Sequence, residues 1–167
     1  MTEARHRQLP SLLDRLSDEQ PELQQESIDA RAMTRSAYRQ SVLRDLEHLL
    51  NATSPLRVAD SHPVSQSVLA YGMPPIAGQL ASHLDIRKFE DIVARLIQRF
   101  ENRIDPASVR VHAESDSGLL NNHNVVGLRI SGKLWAQPYP VELMLRSEVD
   151  LESGRVSLQA LGSGPNG

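Results

Sequence analysis

The residues of this chain best suited to chemistry are three carboxylates in mid-sequence, Glu101, Asp105 and Glu114. Two acids held about 5–9.5 Å apart in a cleft, one with a raised pKa, hydrolyse glycosidic bonds. Glu101 follows the apolar Phe100, a setting in which desolvation raises a carboxyl pKa, and Asp105 or Glu114 is its candidate partner. Arg103, two residues on, supports the opposite reading: a cation there holds Glu101 ionised, and the pair is a structural or interface salt bridge. Other chemistry is missing from the pattern. With no cysteine, the chain has no disulfide, thiolate metal site or cysteine nucleophile. The histidines His6, His48, His62, His83, His112 and His123 show no metal-binding spacing, and no two lie three or four residues apart. Gly72 and Gly78 form no phosphate loop, and Ser163, between two glycines near the end, is no nucleophile elbow.

Composition narrows the classes further. The 167 residues carry 18 Lys+Arg against 21 Asp+Glu, a net charge of −3, which argues against a non-specific nucleic-acid binder. The six aromatic residues, Tyr38, Tyr71, Phe89, Phe100, Trp135 and Tyr139, are too scattered for a base-stacking platform and leave the core to Leu, Ile and Val. Among the cations only Lys88 and Lys133 are lysine; arginine favours planar, bidentate pairing at protein interfaces. The apolar runs are too short to span a membrane, and the opening residues lack the apolar stretch of a signal peptide. The expected compartment is the cytosol, and no cofactor is implied.

The elements that must position Glu101 and Arg103 are legible from periodicity. Residues 1–35 are polar, broken by Pro10 and Pro21, and read as a partner-binding arm. Its one apolar cluster, Leu12, Leu13 and Leu16, has helical spacing but is too short to stand alone, so it must dock on its own domain or on a partner. A helix is predicted over 36–51, with Tyr38, Val42, Leu46, Leu49 and Leu50 on its inner face, Ser36 as cap, and Arg44, Asp45 and Glu47 mostly on the outer face. Residues 64–69 read as a short helical turn and 71–75, with Gly72, Pro74 and Pro75, as a turn. A second helix is predicted over 85–103, capped by Asp85. After Pro106 the period changes to two, giving strands near 109–113, 126–134, 141–149 and 156–161, the last two joined by a turn at Gly154. The expected fold is α+β: N-terminal helices packed on one face of a mainly antiparallel sheet of about four strands, a single domain over 36–161, with a disordered tail at 162–167.

Glu101, Asn102 and Arg103 fall where the second helix stops and the sheet begins, and Asp105-Pro106 forces an extended or turn conformation there. A rigid corner with opposite charges serves better as a docking point than as a reaction centre.

Five segments in order resemble one family. They are residues 10–16 (PSLLDRL), 38–51 (YRQSVLRDLEHLLN), 67–74 (SVLAYGMP), 100–104 (FENRI) and the strand residues 128–132 and 149–154. The chain resembles, over about 9–161, the type VI secretion baseplate subunit family TssE, itself similar to a wedge protein of contractile-phage baseplates. The resemblance implies a non-enzymatic structural subunit of a cytoplasmic, membrane-docked apparatus. Its partners would be TssF and TssG, with TssK and sheath subunits as further candidates, and it would have no nucleic-acid, membrane-inserting or small-molecule role. It implies that Glu101 and Arg103 match the family's Glu-Pro-Arg interaction motif, with Asn102 in place of a proline that would fix φ. Leu12, Leu13 and Leu16 would anchor the arm on a partner, and a sheet edge would receive the first sheath layer. Charge reversal at Arg103 is then expected to abolish co-purification with TssF and TssG while leaving the isolated fold intact. Two alternatives stand beside this: a lysozyme-like muramidase with Glu101 as general acid, and a regulatory anti-adaptor module binding a response regulator.

Overall fold

The computed structural model describes residues 33–54, 63–77, 84–114, 124–136 and 139–161. The leucines of the arm, Leu12, Leu13 and Leu16, and the tail 162–167 lie outside them. Helix α1 spans Arg35–Asn51. Its cap is Thr34 rather than Ser36: Thr34 is extended, and its Oγ1 accepts from the Ala37 N–H at 3.1 Å. Helix α2 spans Ile86–Phe100, capped as expected by Asp85, whose carboxylate accepts from the Lys88 N–H. It ends three residues earlier than periodicity predicts. Ile104, one turn beyond Phe100, continues the apolar spacing but belongs to a bridge with Leu134. The residues 64–69 form two short 3₁₀ turns, Pro63–Gln66 and Val68–Ala70.

Strands β1 (Arg110–Ala113), β2 (Val125–Leu134), β3 (Val141–Asp150) and β4 (Val156–Ala160) form an antiparallel meander in the order β1-β2-β3-β4. Alternation assigns the faces. Val111, Leu128, Ile130, Leu143, Leu145 and Val149 are buried toward the helices, whereas Arg129, Lys133, Glu142, Met144 and Arg146 are exposed on the other side. Both helices cover the inner face, α1 beside β4 and α2 beside β1. One continuous core joins Val42, Leu46 and Leu49 of α1, Phe89, Val93 and Ile97 of α2, and the inner face of the sheet. The fold class matches the sequence expectation.

Two side chains from the helices bracket the outer strands. The Asn51 amide donates to the Val156 carbonyl at 2.8 Å and accepts from the Val156 N–H at 2.9 Å, imitating a neighbouring strand on β4. On the opposite edge, Glu90 of α2 accepts from the Ala113 N–H at 2.5 Å. Each satisfies main-chain groups that an edge strand would leave open.

Gly72 ties the turn after the 3₁₀ segments to the end of α1. Its φ of +108° is open to glycine, and a Cβ there would sit 2.5 Å from the Ala52 carbonyl oxygen. The close approach lets Met73 N–H donate to Ala52 O at 2.7 Å and Ser54 N–H to Met73 O at 2.8 Å. Gly72→Ala is expected to cost at least about 2 kcal/mol in chemical denaturation. Ser147, fully buried on the inner face, has a hydroxyl with no hydrogen-bond partner among the described residues. Ser147→Ala is therefore expected to leave the denaturation midpoint unchanged or raise it.

Candidate functional site

The corner after α2 is built by Glu101 turning inward. Its N–H closes the helix on Ile97 O at 2.9 Å, and its side chain leaves the residue only 4% exposed. A carboxylate taken out of water needs charge and donors, and Arg103 supplies both. Glu101 Oε1 accepts from the Arg103 backbone N–H at 3.0 Å and from Nε–H at 2.7 Å, while Oε2 accepts from Nη2 at 2.5 Å. Arg103 then reaches across to α1: Nη2 donates to Asp45 Oδ2 at 2.7 Å and Nη1 to Ser41 Oγ at 3.2 Å. Asp45 Oδ1 also accepts from Arg44, at 3.2–3.3 Å. Burial alone would lower the Arg103 pKa, but the hydrogen bonds and charges of Glu101 and Asp45 outweigh it and raise it. The guanidinium is a permanent cation.

The backbone of the corner is zipped to the end of β2. Trp135 N–H donates to Arg103 O at 2.8 Å, Asp105 N–H donates to Lys133 O at 2.8 Å, and Ile104 pairs with Leu134 between them. Gly132 makes this possible, since a Cβ there would lie 2.9 Å from Ile104 Cγ2. Tyr38 of α1 donates its hydroxyl to Trp135 O at 3.1 Å. Burial raises the Tyr38 pKa, Arg103 opposes the shift and Glu101 adds to it.

Beside the corner opens a cavity of about 350 Å³, walled by Asp45, Leu49, Tyr71, Phe100 and the 101–103 triplet. Tyr71 packs edge-on against Phe100, with ring centroids 5.3 Å apart and planes at 72°. Burial raises the Tyr71 pKa, and the carboxylates of Asp45 and Glu101 add to that. Asn102 is exposed at the tip.

This geometry does not perform acid catalysis. A general acid must hold a proton to donate, but both Glu101 oxygens accept from a guanidinium. The candidate second acids are engaged elsewhere: Asp105 caps the 3₁₀ turn Pro106–Ser108 through the Ala107 N–H, and Glu114 pairs with Arg129 and Arg146. Neither lines the cavity. Among the described residues no group of three or more His, Asp or Glu is placed to hold a metal ion, and no helix is long and apolar enough to cross a membrane.

Glu101 and Arg103, paired by sequence reasoning, are together in space. Asp45 and Ser41 were missed as their partners, Asp45 being assigned to the outer face of α1. The available signal was their spacing: one turn apart, bordering the apolar stripe, and opposite in charge to Arg103 in the case of Asp45. The arrangement also revises what a charge reversal does. A glutamate at position 103 would face the buried Glu101 with no cation between them, so such a variant is expected to destabilise the fold as well as any docking.

A protein-family model described as baseplate wedge protein gp25 matches residues 36–139, more than half of the chain. The matched span contains both helices, the corner, β1 and β2. No curated protein and no solved structure matches.

Removing the cation strands a buried charge, whereas neutralising its outer partner does not. Arg103→Met is expected to cost about 3–5 kcal/mol, and Asp45→Asn, at a residue with a 23% exposed side chain, about 1 kcal/mol. Equilibrium urea unfolding of the two variants measures the order.

Proposed function

This chain belongs to the baseplate wedge protein gp25 family, and we propose that it acts as the TssE-type subunit of a type VI secretion baseplate. The family is structural rather than enzymatic, and its members bind other subunits of contractile injection baseplates. The muramidase alternative is set aside on that ground and on the saturated state of Glu101. In the proposed role the subunit sits in a cytoplasmic wedge with TssF and TssG, close to TssK, and helps to start assembly of the sheath and tube.

One observation carries the choice of docking site. The 101–103 corner is fastened on two sides, to α1 through Ser41 and Asp45 and to β2 through the Lys133 and Trp135 main chain, yet it leaves Asn102 exposed beside an open cavity. Glu101 Oε1 accepts from the Arg103 N–H across Asn102. The stiffness that a proline would provide through φ thus comes from a carboxylate spanning the tip. Glu101 and Arg103 serve docking by holding the corner in shape, and Asn102, Tyr71 and Phe100 offer the contact surface. Leu12, Leu13 and Leu16 of the arm supply a second, apolar contact.

The β4 edge supports the sheath part of this reading. Leu161 N–H donates to Met144 O, so Val156, Leu158 and Ala160 turn their main-chain groups away from β3. Asn51 occupies those of Val156. The next two positions leave room for an added strand.

Co-expression of the full chain with TssF and TssG tests the role. The unsubstituted chain is expected to co-purify with both. Asn102→Arg, at the exposed tip, is expected to cut recovery at least tenfold with an unchanged melting temperature. Undiminished recovery overturns the corner assignment. Failure of the unsubstituted chain to recover TssF and TssG, or recovery of a response regulator instead, overturns the type VI reading and leaves family membership untouched.

A further inference from the structure

The solvent face of the sheet holds an arrangement that neither the core nor the corner requires. Arg129 of β2 and Arg146 of β3 are register partners, side by side across the ladder. Like charges directly opposite each other destabilise a strand pair. His112 of β1 is the register partner of Arg129 on the other side, so three basic side chains cross the sheet in one row. The two arginines share a single carboxylate: Glu114 Oε1 lies 3.0 Å from Arg129 Nη2, and Oε2 lies 3.0 Å from Arg146 Nε. Glu114 is mostly covered, with a 13% exposed side chain, whereas Arg129 and Arg146 are 55% and 46% exposed. Among the described residues no second carboxylate contacts either guanidinium. Each therefore keeps N–H groups directed at solvent.

Next to this row the same face carries a groove of about 460 Å³, lined by Met144 and Ser131, by the cations Arg110 and Lys133 and by the carboxylates Asp105 and Glu142. Met144 is 41% exposed, an apolar floor on an otherwise charged surface. We propose that this face is a docking surface for an acidic segment of another protein, whose carboxylates pair with Arg129 and Arg146 while an apolar neighbour lies on Met144. Charge complementarity selects the occupant. A pair of guanidiniums with free edges takes carboxylates in bidentate fashion. Glu142, which lines the groove, confines an occupant's carboxylates to the arginine row, which suits a short acidic segment followed by an apolar residue better than an evenly charged nucleic-acid backbone. The proposal does not rest on the type VI reading; it meets the corner and the β4 edge only at Asp105, Lys133 and Met144, whose main-chain groups serve there while the residues also line the groove.

Fluorescence anisotropy of a labelled hexaglutamate peptide with the full chain at low ionic strength provides the test. The unsubstituted chain is expected to bind it, and Arg129→Gln/Arg146→Gln to weaken binding about tenfold or more. Glu114→Gln is the sharper variant: removing the internal competitor releases both guanidiniums and is expected to tighten binding severalfold. A role for Glu114 confined to structure predicts no tightening. Equal affinity of the double variant, no gain with Glu114→Gln, or tighter binding of an oligothymidylate of the same charge would each overturn the proposal. Should the double variant not fold, the Glu114→Gln result decides alone.

Discussion

A carboxylate in a protein interior is tolerated only where a cation and several donors meet it, and the rest of this fold is arranged around one such requirement. Glu101 could end α2 pointing outward, in water, at no cost. It points inward instead and is answered by Arg103, only two residues along. That short-range pair folds the chain into a tight corner. The guanidinium, already bound to Glu101, then has donors left that reach Ser41 and Asp45 on α1. One ion cluster thus joins the end of one helix to the flank of the other, and the main chain of Arg103 and Ile104 continues into the sheet through Trp135 and Leu134. Buried ion pairs add little net stability over apolar packing, because desolvation offsets attraction. What they supply here is geometry: a single arrangement satisfies both carboxylates, and alternatives leave a charge stranded.

The sheet edges follow the same logic with neutral groups. A four-stranded meander has two open edges, each able to pair with foreign chains. Asn51 closes one position of β4 and Glu90 one position of β1, each from a helix that the core already holds in place. The blocking is partial. On β4 the bracketed residue is the first of the strand, and the outward main-chain groups of Leu158 and Ala160 beyond it have no partner among the described residues.

The architecture was readable in the sequence because it rests on periodicity. The 3.6-residue stripes of α1 and α2, the alternation of β2 and β3, and the glycines at 72 and 154, both at positive φ, announced themselves through local rules. The errors have equally physical sources. Ile104 continued the stripe of α2 in sequence, but Asp105-Pro106 resists helix and Ile104 instead pairs with Leu134, so the helix stopped earlier than its pattern. Asp45 sits at the border of the α1 stripe, where periodicity cannot separate an outward charge from one turned toward a partner 58 residues away. The sharing of Glu114 between Arg129 and Arg146 depends on strand register, which no single segment encodes. The cap of α1 shows that local rules can also mislead: Thr34 and Ser36 are both good capping residues, and only the backbone conformation separates them.

A wedge subunit binds other baseplate subunits, and β2 carries both surfaces proposed above for such contacts. The corner is zipped to Lys133 and Trp135 at one end of the strand, and the arginine row crosses it at Arg129. Five residues of strand separate Arg129 from Leu134, about 17 Å at the usual rise. One place is the helix-flanked corner and the other is on the open sheet face. Because both are mounted on a single ten-residue strand paired along its full length with β3, no hinge lies between them. Any force acting between the two places would pass through a ladder of hydrogen bonds rather than through a loop.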